Sequence, residues 1–477
     1  MNLLAHPPER TAFVTPAGSV TYGELVGQVG GVLAAWRSAG IAAGERVGLL
    51  LANDAPMVAC FHAALQAGVT PLLFNTRLTA AELSQQMQAA ACRWLVVDET
   101  TQPLAAQISA PHTLLDARTF HIATSAVAPR APAPEATAAV MFTSGTSGAP
   151  KAALLTVGAF YASAQASAAR IGVHPDDNWL CVLPLYHVGG LSIVYRSTLY
   201  GTSFTLLPRF DVSEVAALLA SGAVTLASLV PTMLYRLLDA LPTAPPRLRL
   251  VLLGGAAASA ELLERAHVLG WPVATTYGLT EAASQVATAL PELARRKPGT
   301  VGPPLDGTQV RIVDADGCPL PPDAEGEILV RGPTLMQGYL DDPQATAQAL
   351  RGGWLHTGDI GCLDADGHLF VRMRRSDLIV SGGENVYPAE VEAALRAHPS
   401  VAEAVVVGLP DAEWGQVVGA AVTLRPSAAL SEAELLAHLQ GRLARYKQPR
   451  RLRIVAALPL TASGKPDRRA VRALLTT

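Results

Sequence analysis

The 477-residue chain has no stretch approaching the ~18 uninterrupted apolar residues that a membrane-spanning helix needs. Its opening, Met1-Asn2-Leu3-Leu4-Ala5-His6-Pro7-Pro8, lacks a basic region followed by a long apolar core, which argues against a secretory leader. A cytoplasmic protein is the expectation. Cysteines are few: Cys60, Cys92, Cys181, Cys318 and Cys362 are odd in number, scattered and without CxxC spacing. They exclude a disulfide frame or zinc site and predict reduced, buried thiols. A basic excess is also missing. Lys and Arg number 36 against 39 Asp and Glu, so the chain as a whole is no binder of nucleic acid, and any anion site must be local. Internal repeats are absent.

What is present is an apolar, enzyme-like chain. Half of its residues are hydrophobic and 16% are charged, which fits a well-buried globular protein. Its length exceeds what one core supports, so two or more domains are expected. Thr21-x-x-Glu24 and Thr79-x-x-Glu82 read as capping boxes opening helices. Arg46–Leu51 and Trp94–Val97 read as strands, with Met57–Leu65 as part of a helix between them. This βαβα rhythm predicts a mostly parallel sheet covered by helices. Residues 125–136, rich in Ala and Pro, form a linker. Further strands are expected at Trp179–Leu183, Phe204–Leu207, Thr225–Val230, Leu250–Leu253 and Val273–Thr276. From about Val301, short strands at Val310–Val313, Glu327–Val330 and His368–Arg372 suggest a small β subdomain. After Arg374-Arg375-Ser376-Asp377 comes a segment of mixed type, with helices Pro388–His398 and Glu432–Ala444 and strands Ala404–Val407, Val417–Leu424 and Arg451–Val455. It is long enough to be a small α+β domain.

The chain is organised around Val140-Met-Phe-Thr-Ser-Gly-Thr-Ser-Gly-Ala-Pro-Lys151. A buried-type strand end passes into Thr143, Ser144, Gly145, Thr146, Ser147 and Gly148, too small to pack a core, and then Lys151. Backbone N–H groups and hydroxyls of such a loop can surround phosphate oxygens, with the lysine adding positive charge. A flexible surface loop has the same composition, but not the same flanks. A Walker loop is excluded: Lys151 follows Ala149-Pro150, and Ala152 stands where that motif needs Ser or Thr.

Four later stretches carry more polar punctuation than packing needs. Pro184–Gly190 places His187 beside two glycines, where a structural histidine is the plain alternative. Tyr277-Gly278-Leu279-Thr280-Glu281 follows a strand, at the end where open α/β sheets bind ligands. Glu281 there is suited to Mg²⁺, with simple helix capping as the alternative. Trp354–Asp359 brings a carboxylate suited to sugar hydroxyls, or else a solvated turn. Thr461–Pro466 carries Lys465 on a loop, which in isolation reads as a surface lysine.

Together and in this order, these segments resemble the adenylate-forming superfamily of acyl-CoA synthetases, adenylation domains and luciferases. The resemblance spans nearly the whole chain: Thr143–Lys151, Tyr277–Glu281, Thr357–Asp359, Arg374–Asp377, Ser381–Pro388 and Ser463–Lys465. Leu183–Ser192, Tyr277–Gln285 and Arg374–Pro388 are most similar to the o-succinylbenzoate–CoA ligase subfamily of menaquinone biosynthesis. Alternatives sharing the motifs are a ligase for another aryl or medium-chain acid, a carrier-loading adenylation domain, and a non-catalytic nucleotide-binding protein.

The resemblance implies a large N-terminal α/β domain over 1–373, with sheets flanked by helices and a small β subdomain, a hinge at 374–377 and a small mobile C-terminal α+β domain over 378–477. It implies ATP, Mg²⁺ and coenzyme A as reaction partners of a small carboxylic acid. Composition leaves no nucleic acid and no membrane insertion expected, and neither it nor the resemblance fixes the oligomeric state, for which a homodimer is the working expectation. By analogy, Thr143–Gly148 with Lys151 would hold the β,γ-phosphates, Thr280 the α-phosphate and Glu281 the metal. Gly254, Gly255, Ala256, Tyr277 and Gly278 would surround the adenine, and Asp359 and Arg374 the ribose. Lys465 would bridge the attacking carboxylate and the α-phosphate. His187, Ser192, Arg196, Gly278, Ser284 and Gln285 are the expected acyl-pocket residues, Arg196 for a second carboxylate, with a surface arginine as its alternative. Ser376 falls at the hinge, where many relatives carry Asp or Lys, and Met373 departs from the usual Asp or Gly. After rotation, Ser381, Gly382, Gly383 and Glu384 would approach a pantetheine tunnel near His187.

Overall fold

Strand residues alternate between two faces, and here the alternation separates three cores. Trp179 and Cys181 face one cluster while Leu180 and Val182 face another. Likewise Val47 and Leu49 face inward, whereas Leu50 faces a third cluster. The computed structural model describes residues 2–120, 131–144, 150–373, 378–425, 428–459 and 467–476. The phosphate-loop residues Gly145, Thr146, Ser147 and Gly148, the hinge residues Arg374 and Ser376, and Lys465 lie outside the described residues.

Two large sheets flanked by helices build the body, as the α/β expectation has it. One has eight strands in the order Ser284–Ala289, Val273–Leu279, Leu250–Leu253, Leu226–Leu229, Asn178–Cys181, Ser203–Leu206, Thr11–Thr15, Gly18–Thr21. The other has seven, in the order Gly338–Tyr339, Pro150–Thr156, Thr137–Ser144, Thr70–Leu73, Arg46–Leu50, Trp94–Val97, Thr113–Asp116. Both are parallel at their centres; the eight-stranded sheet is antiparallel at both edges, and the seven-stranded one at the Gly338–Tyr339 edge alone, its Thr113–Asp116 edge being parallel. Helices Tyr22–Ala39, Ala55–Ala67, Val157–Ile171 and Val188–Tyr200 supply residues to the core shared by both sheets. Other helices cover the outer faces, so each sheet is buried on both sides, as parallel sheets require.

Local signals hold where chemistry enforces them. Thr21 and Thr79 each cap a helix through a reciprocal box with Glu24 and Glu82. The helix expected over Glu432–Ala444 ends at Leu439, because the backbone turns extended at Gln440 and left-handed at Gly441. The segment after the phosphate loop is a strand, Pro150–Thr156, antiparallel to Thr137–Ser144. The loop therefore joins two strands, unlike the strand-to-helix passage of a Walker loop. Four of the cysteines are buried, but Cys318 is exposed, which corrects the expectation for that one. It sits in a short polar connection, where its N–H donates to Asp314.

A third sheet of five strands, between Gln309 and Met373, forms the small β subdomain. The fourth, also five-stranded, is built wholly after residue 377: Glu384–Val386, Ile379–Ser381, Gly415–Leu424 and Val401–Asp411, with Arg451–Ile454 parallel to Gly415–Leu424. Helices Pro388–Arg396 and Glu432–Leu439 cover one face and Arg468–Thr476 the other. Ala444 of this unit packs into the same cluster as Leu72 and Leu83 of the body. Among the described residues, no helix is long and apolar enough to cross a membrane.

Candidate active site

The carboxyl ends of parallel strands leave backbone and loop side chains facing one crevice, the usual ligand position in open α/β sheets. Here that crevice is a cavity of about 650 Å³, within the range of ligand sites. Its lining draws on every layer: Thr143 from one sheet, Gly254, Gly255 and Gly278 from the other, Asp359 from the β subdomain, and Gly382, Gly383 and Glu384 from the C-terminal unit.

The floor is set by Gly278. A Cβ there would lie 1.9 Å from the Ser284 carbonyl oxygen, so only glycine lets the two strands close. Thr280 and Glu281 follow in a tight 3-10 turn. Next come Ala283 and Ser284 at φ 49° and 101°, a left-handed backbone that non-glycine residues adopt at a cost. The strained turn presents Ser284 and Gln285 to the cavity.

Glu281 accepts a hydrogen bond of 2.9 Å from the Tyr339 hydroxyl, and the Lys151 ammonium lies 5.2 Å from the centre of the same ring. Among the described residues, no lysine, arginine or histidine forms an ion pair with Glu281. Such a hard, unneutralised carboxylate at a cavity wall fits Mg²⁺ held against phosphates. Across the cavity, the buried Asp359 accepts 2.7 Å from the Tyr277 hydroxyl, and its own N–H donates to Thr357.

Arg196 is only 3% exposed, so the surface-arginine alternative is overturned. It stacks 3.9 Å from the centre of the Trp179 ring and donates at 3.2 Å to both Ser167 and Gln285. Its Nε has no partner among the described residues, and no described carboxylate pairs with it. Burial pushes its guanidinium down to about 10. A buried cation without a counter-ion is costly, and its place in the lining turns that cost toward an anion within the cavity.

At the other end, His187 begins the helix Val188–Tyr200, and its Nε2 lies 3.1 Å from Glu384. Glu384 also accepts from Arg77 at 2.9 Å and Asn75 at 3.3 Å. Burial alone would raise the Glu384 carboxyl, but the charges of His187 and Arg77 outweigh it and hold it down to about 2.

The structure thus brings His187, Arg196, Thr280, Glu281, Ser284, Gln285, Asp359 and the Gly382–Glu384 turn to one cavity. Tyr277, Lys151, Ala256, Ser192 and Ser381 stand outside the lining; Ser192 supports Ser284 from behind, oxygen to oxygen at 3.5 Å. Of Ser144 the structure places the backbone, at the end of its strand. Sequence reasoning missed Asn75, Arg77 and Tyr339. The first two follow the parallel strand Thr70–Leu73, and position at that strand's carboxyl end was the available signal. Tyr339 carries none.

Residues 3–340 match the AMP-binding enzyme family, and residues 390–465 match the AMP-binding enzyme C-terminal domain. The chain is 42% identical over 477 residues to 2-succinylbenzoate–CoA ligase from Geobacillus kaustophilus, covering 98% of this chain and 96% of that one. A double mutant of o-succinylbenzoate CoA synthetase from Bacillus subtilis, bound to its product analogue OSB-NCoA, matches with a TM-score of 0.94 at 37% identity, over 99% of this chain and 98% of that one. The same enzyme with the acyl-adenylate OSB-AMP gives 0.77 at 37% identity, over 99% and 98%. With ATP and magnesium ion it gives 0.76 at 37%, over 100% and 99%.

Proposed function

Since the chain belongs to the AMP-binding enzyme family, we propose that it is an ATP-dependent o-succinylbenzoate–CoA ligase of menaquinone biosynthesis, an AMP-forming acid–thiol ligase. In the first half-reaction, a carboxylate oxygen of the acid attacks the α-phosphorus of ATP, and the bond to pyrophosphate breaks. In the second, the sulfur of coenzyme A attacks the acyl carbon, its proton is lost, and AMP leaves. Neither step needs a protein nucleophile, so the residues act by positioning and by offsetting charge.

Thr143, Ser144 and Gly145–Gly148, with Lys151, hold the leaving pyrophosphate, and Thr280 the α-phosphate. Mg²⁺, when bound at Glu281, offsets the phosphate charge. Gly254, Gly255 and Gly278 border the adenine, with Ala256 completing their turn from outside the lining. Tyr277 orients Asp359 toward the ribose hydroxyls, with Arg374 beside them. Lys465 bridges the two reacting oxygens in the first step. Residues 1–373 and 378–477 act as two domains about a hinge at Ser376. The turn Ser381–Glu384, brought to His187, belongs to the second step, and it supports a tunnel for the pantetheine arm. The contrast between TM-scores of 0.94 and 0.77 at equal identity supports the same assignment for the arrangement seen in this chain.

Arg196 carries the assignment of the acid. o-Succinylbenzoate has two carboxylates, of which one is activated. The other needs a cation within an otherwise apolar wall, and the buried Arg196 guanidinium, without a counter-ion among the described residues, meets that need. We extend the reading to a cytoplasmic location, where ATP and coenzyme A are supplied, and to a homodimer, checked by sedimentation. The test of function is a panel of carboxylic acids with ATP and coenzyme A, scored by pyrophosphate release and by the acyl-CoA formed. o-Succinylbenzoate should give the highest kcat/KM. A higher value for another aryl or medium-chain acid would replace the substrate. ATP binding without turnover across the panel would remove the activity.

A further inference from the structure

One buried ionic cluster lies outside the cavity and joins the two halves of the chain. Lys447 is 4% exposed, and its ammonium donates at 2.7 Å to Glu82 Oε1 and at 2.6 Å to Glu390 Oε1. Glu82 is 365 residues away in sequence, on the helix Ala80–Ala89 of the body. Lys447 and Glu390 both belong to the C-terminal unit.

The two carboxylates are held differently. Glu82 Oε2 is used locally, accepting at 2.8 Å from both the N–H and the hydroxyl of Thr79 in the capping box. That fixes Glu82 to the body and aims Oε1 across the interface. Glu390 has its second oxygen buried without a partner among the described residues, so Lys447 is the cation it depends on. If the two units change their relative placement, Lys447 and Glu390 travel together and stay neutralised, while the contact to Glu82 is broken. The chain's arrangement differs from that of the ATP-bound and acyl-adenylate-bound relatives far more than from the product-analogue complex, at the same 37% identity.

We propose that Glu82 is a positioning residue for the thioester half-reaction, its Oε1 latching Lys447 in the arrangement that brings Glu384 to His187. Glu390 is the keeper that lets Lys447 leave the latch without becoming an isolated buried charge. The latch sits beside the cavity and touches no reacting atom, so it acts through the placement of the Ser381–Glu384 turn. This inference rests on the ligase reading for its kinetic consequence, but not for the contact itself.

Glu82→Gln is the discriminating variant, because a capping box accepts Gln as well as Glu. It keeps the helix cap and removes only the charge facing Lys447. Formation of acyl-adenylate, followed by pyrophosphate release, should stay within about twofold of the native enzyme. Conversion of isolated acyl-adenylate and coenzyme A to thioester should slow by roughly tenfold or more, the scale of one lost charge-assisted hydrogen bond. Glu390→Gln leaves the latched Lys447 its Glu82 partner but strips the unlatched one of its counter-ion, so it should slow adenylation more than thioester formation. Amide hydrogen exchange gives a reading that needs no substrate: protection across 442–447 should fall in Glu82→Gln. Equal slowing of both half-reactions, or unchanged kinetics with unchanged exchange, would overturn the latch. Loss of protection in a protein whose native form makes no thioester would keep the latch and remove the ligase reading instead.

Discussion

The imidazole of His187 and the carboxylate of Glu384, 197 residues apart in the chain, meet at 3.1 Å inside the cavity. Arg77 holds the other carboxylate oxygen at 2.9 Å, so a single side chain of the C-terminal unit is gripped from two sides by the body. Glu384→Gln should therefore slow thioester formation by about tenfold while changing adenylation by much less, since it weakens two charge-assisted contacts of one arrangement. Rapid-quench assays of the separate half-reactions check this. With its carboxyl held down to about 2, below the ordinary 4.5, Glu384 stabilises the interface fully above 4.5, and that contribution fades as pH falls from there through about 2.

Arg196→Met keeps the stacking volume beside Trp179 and removes the buried charge. The KM for o-succinylbenzoate should rise by roughly 10- to 100-fold, matching the ~1.5–3 kcal/mol of a hydrogen bond to a charged group. The KM for ATP should move much less. A larger effect on ATP would take Arg196 out of the acyl pocket. Thermal stability should hold or improve, because the variant relieves an uncompensated buried cation.

Lys465→Ala should abolish acyl-adenylate formation and spare thioester formation from preformed adenylate. A loss of about 10²–10³ in the first step is the yardstick for one charge-stabilising donor. Equal loss in both steps would refute the role.

His62 gives a test of stability rather than catalysis. Its imidazole is buried in the shared core, with Nε2 unpartnered among the described residues, and burial pushes it down to about 3 from 6.5. Below 6.5 the unfolded chain binds a proton that the folded one refuses, so stability falls as pH drops from 6.5 toward 3, by at most about 1.4 kcal/mol per pH unit. His62→Leu should flatten the decline of Tm between pH 6.5 and 5, as scanning calorimetry would show. An unchanged slope would exclude His62 as its source.

Much of this fold was legible because its signals are local. Trp94–Val97 and Leu250–Leu253 are strands with the bounds that their apolar runs imply. Thr21 and Thr79 cap where a Glu follows three residues later. What stayed hidden depends on partners far away. Pro150–Thr156 is a strand because Thr137–Ser144 and Gly338–Tyr339 flank it, and its Ala and Leu residues do not announce that alone. Which strands join which of the two sheets was hidden as well, because periodicity within a single strand does not name its neighbours. The candidate site shows the same division. Residues such as Glu281 and Asp359 could be named because they lie in the short segments that carry the family resemblance. Arg77 and the Glu82–Lys447 contact exist only once chain ends hundreds of residues apart are brought together.

The close approach of Gly278 to the Ser284 carbonyl bears on how this pocket can be redesigned. A side chain at 278 would have to push apart two hydrogen-bonded strands, so the floor offers no position from which the cavity can be trimmed or deepened. Selectivity for a different acid has to be rewritten from the walls, where Arg196, Ser284 and Gln285 can change size and charge without moving the sheet.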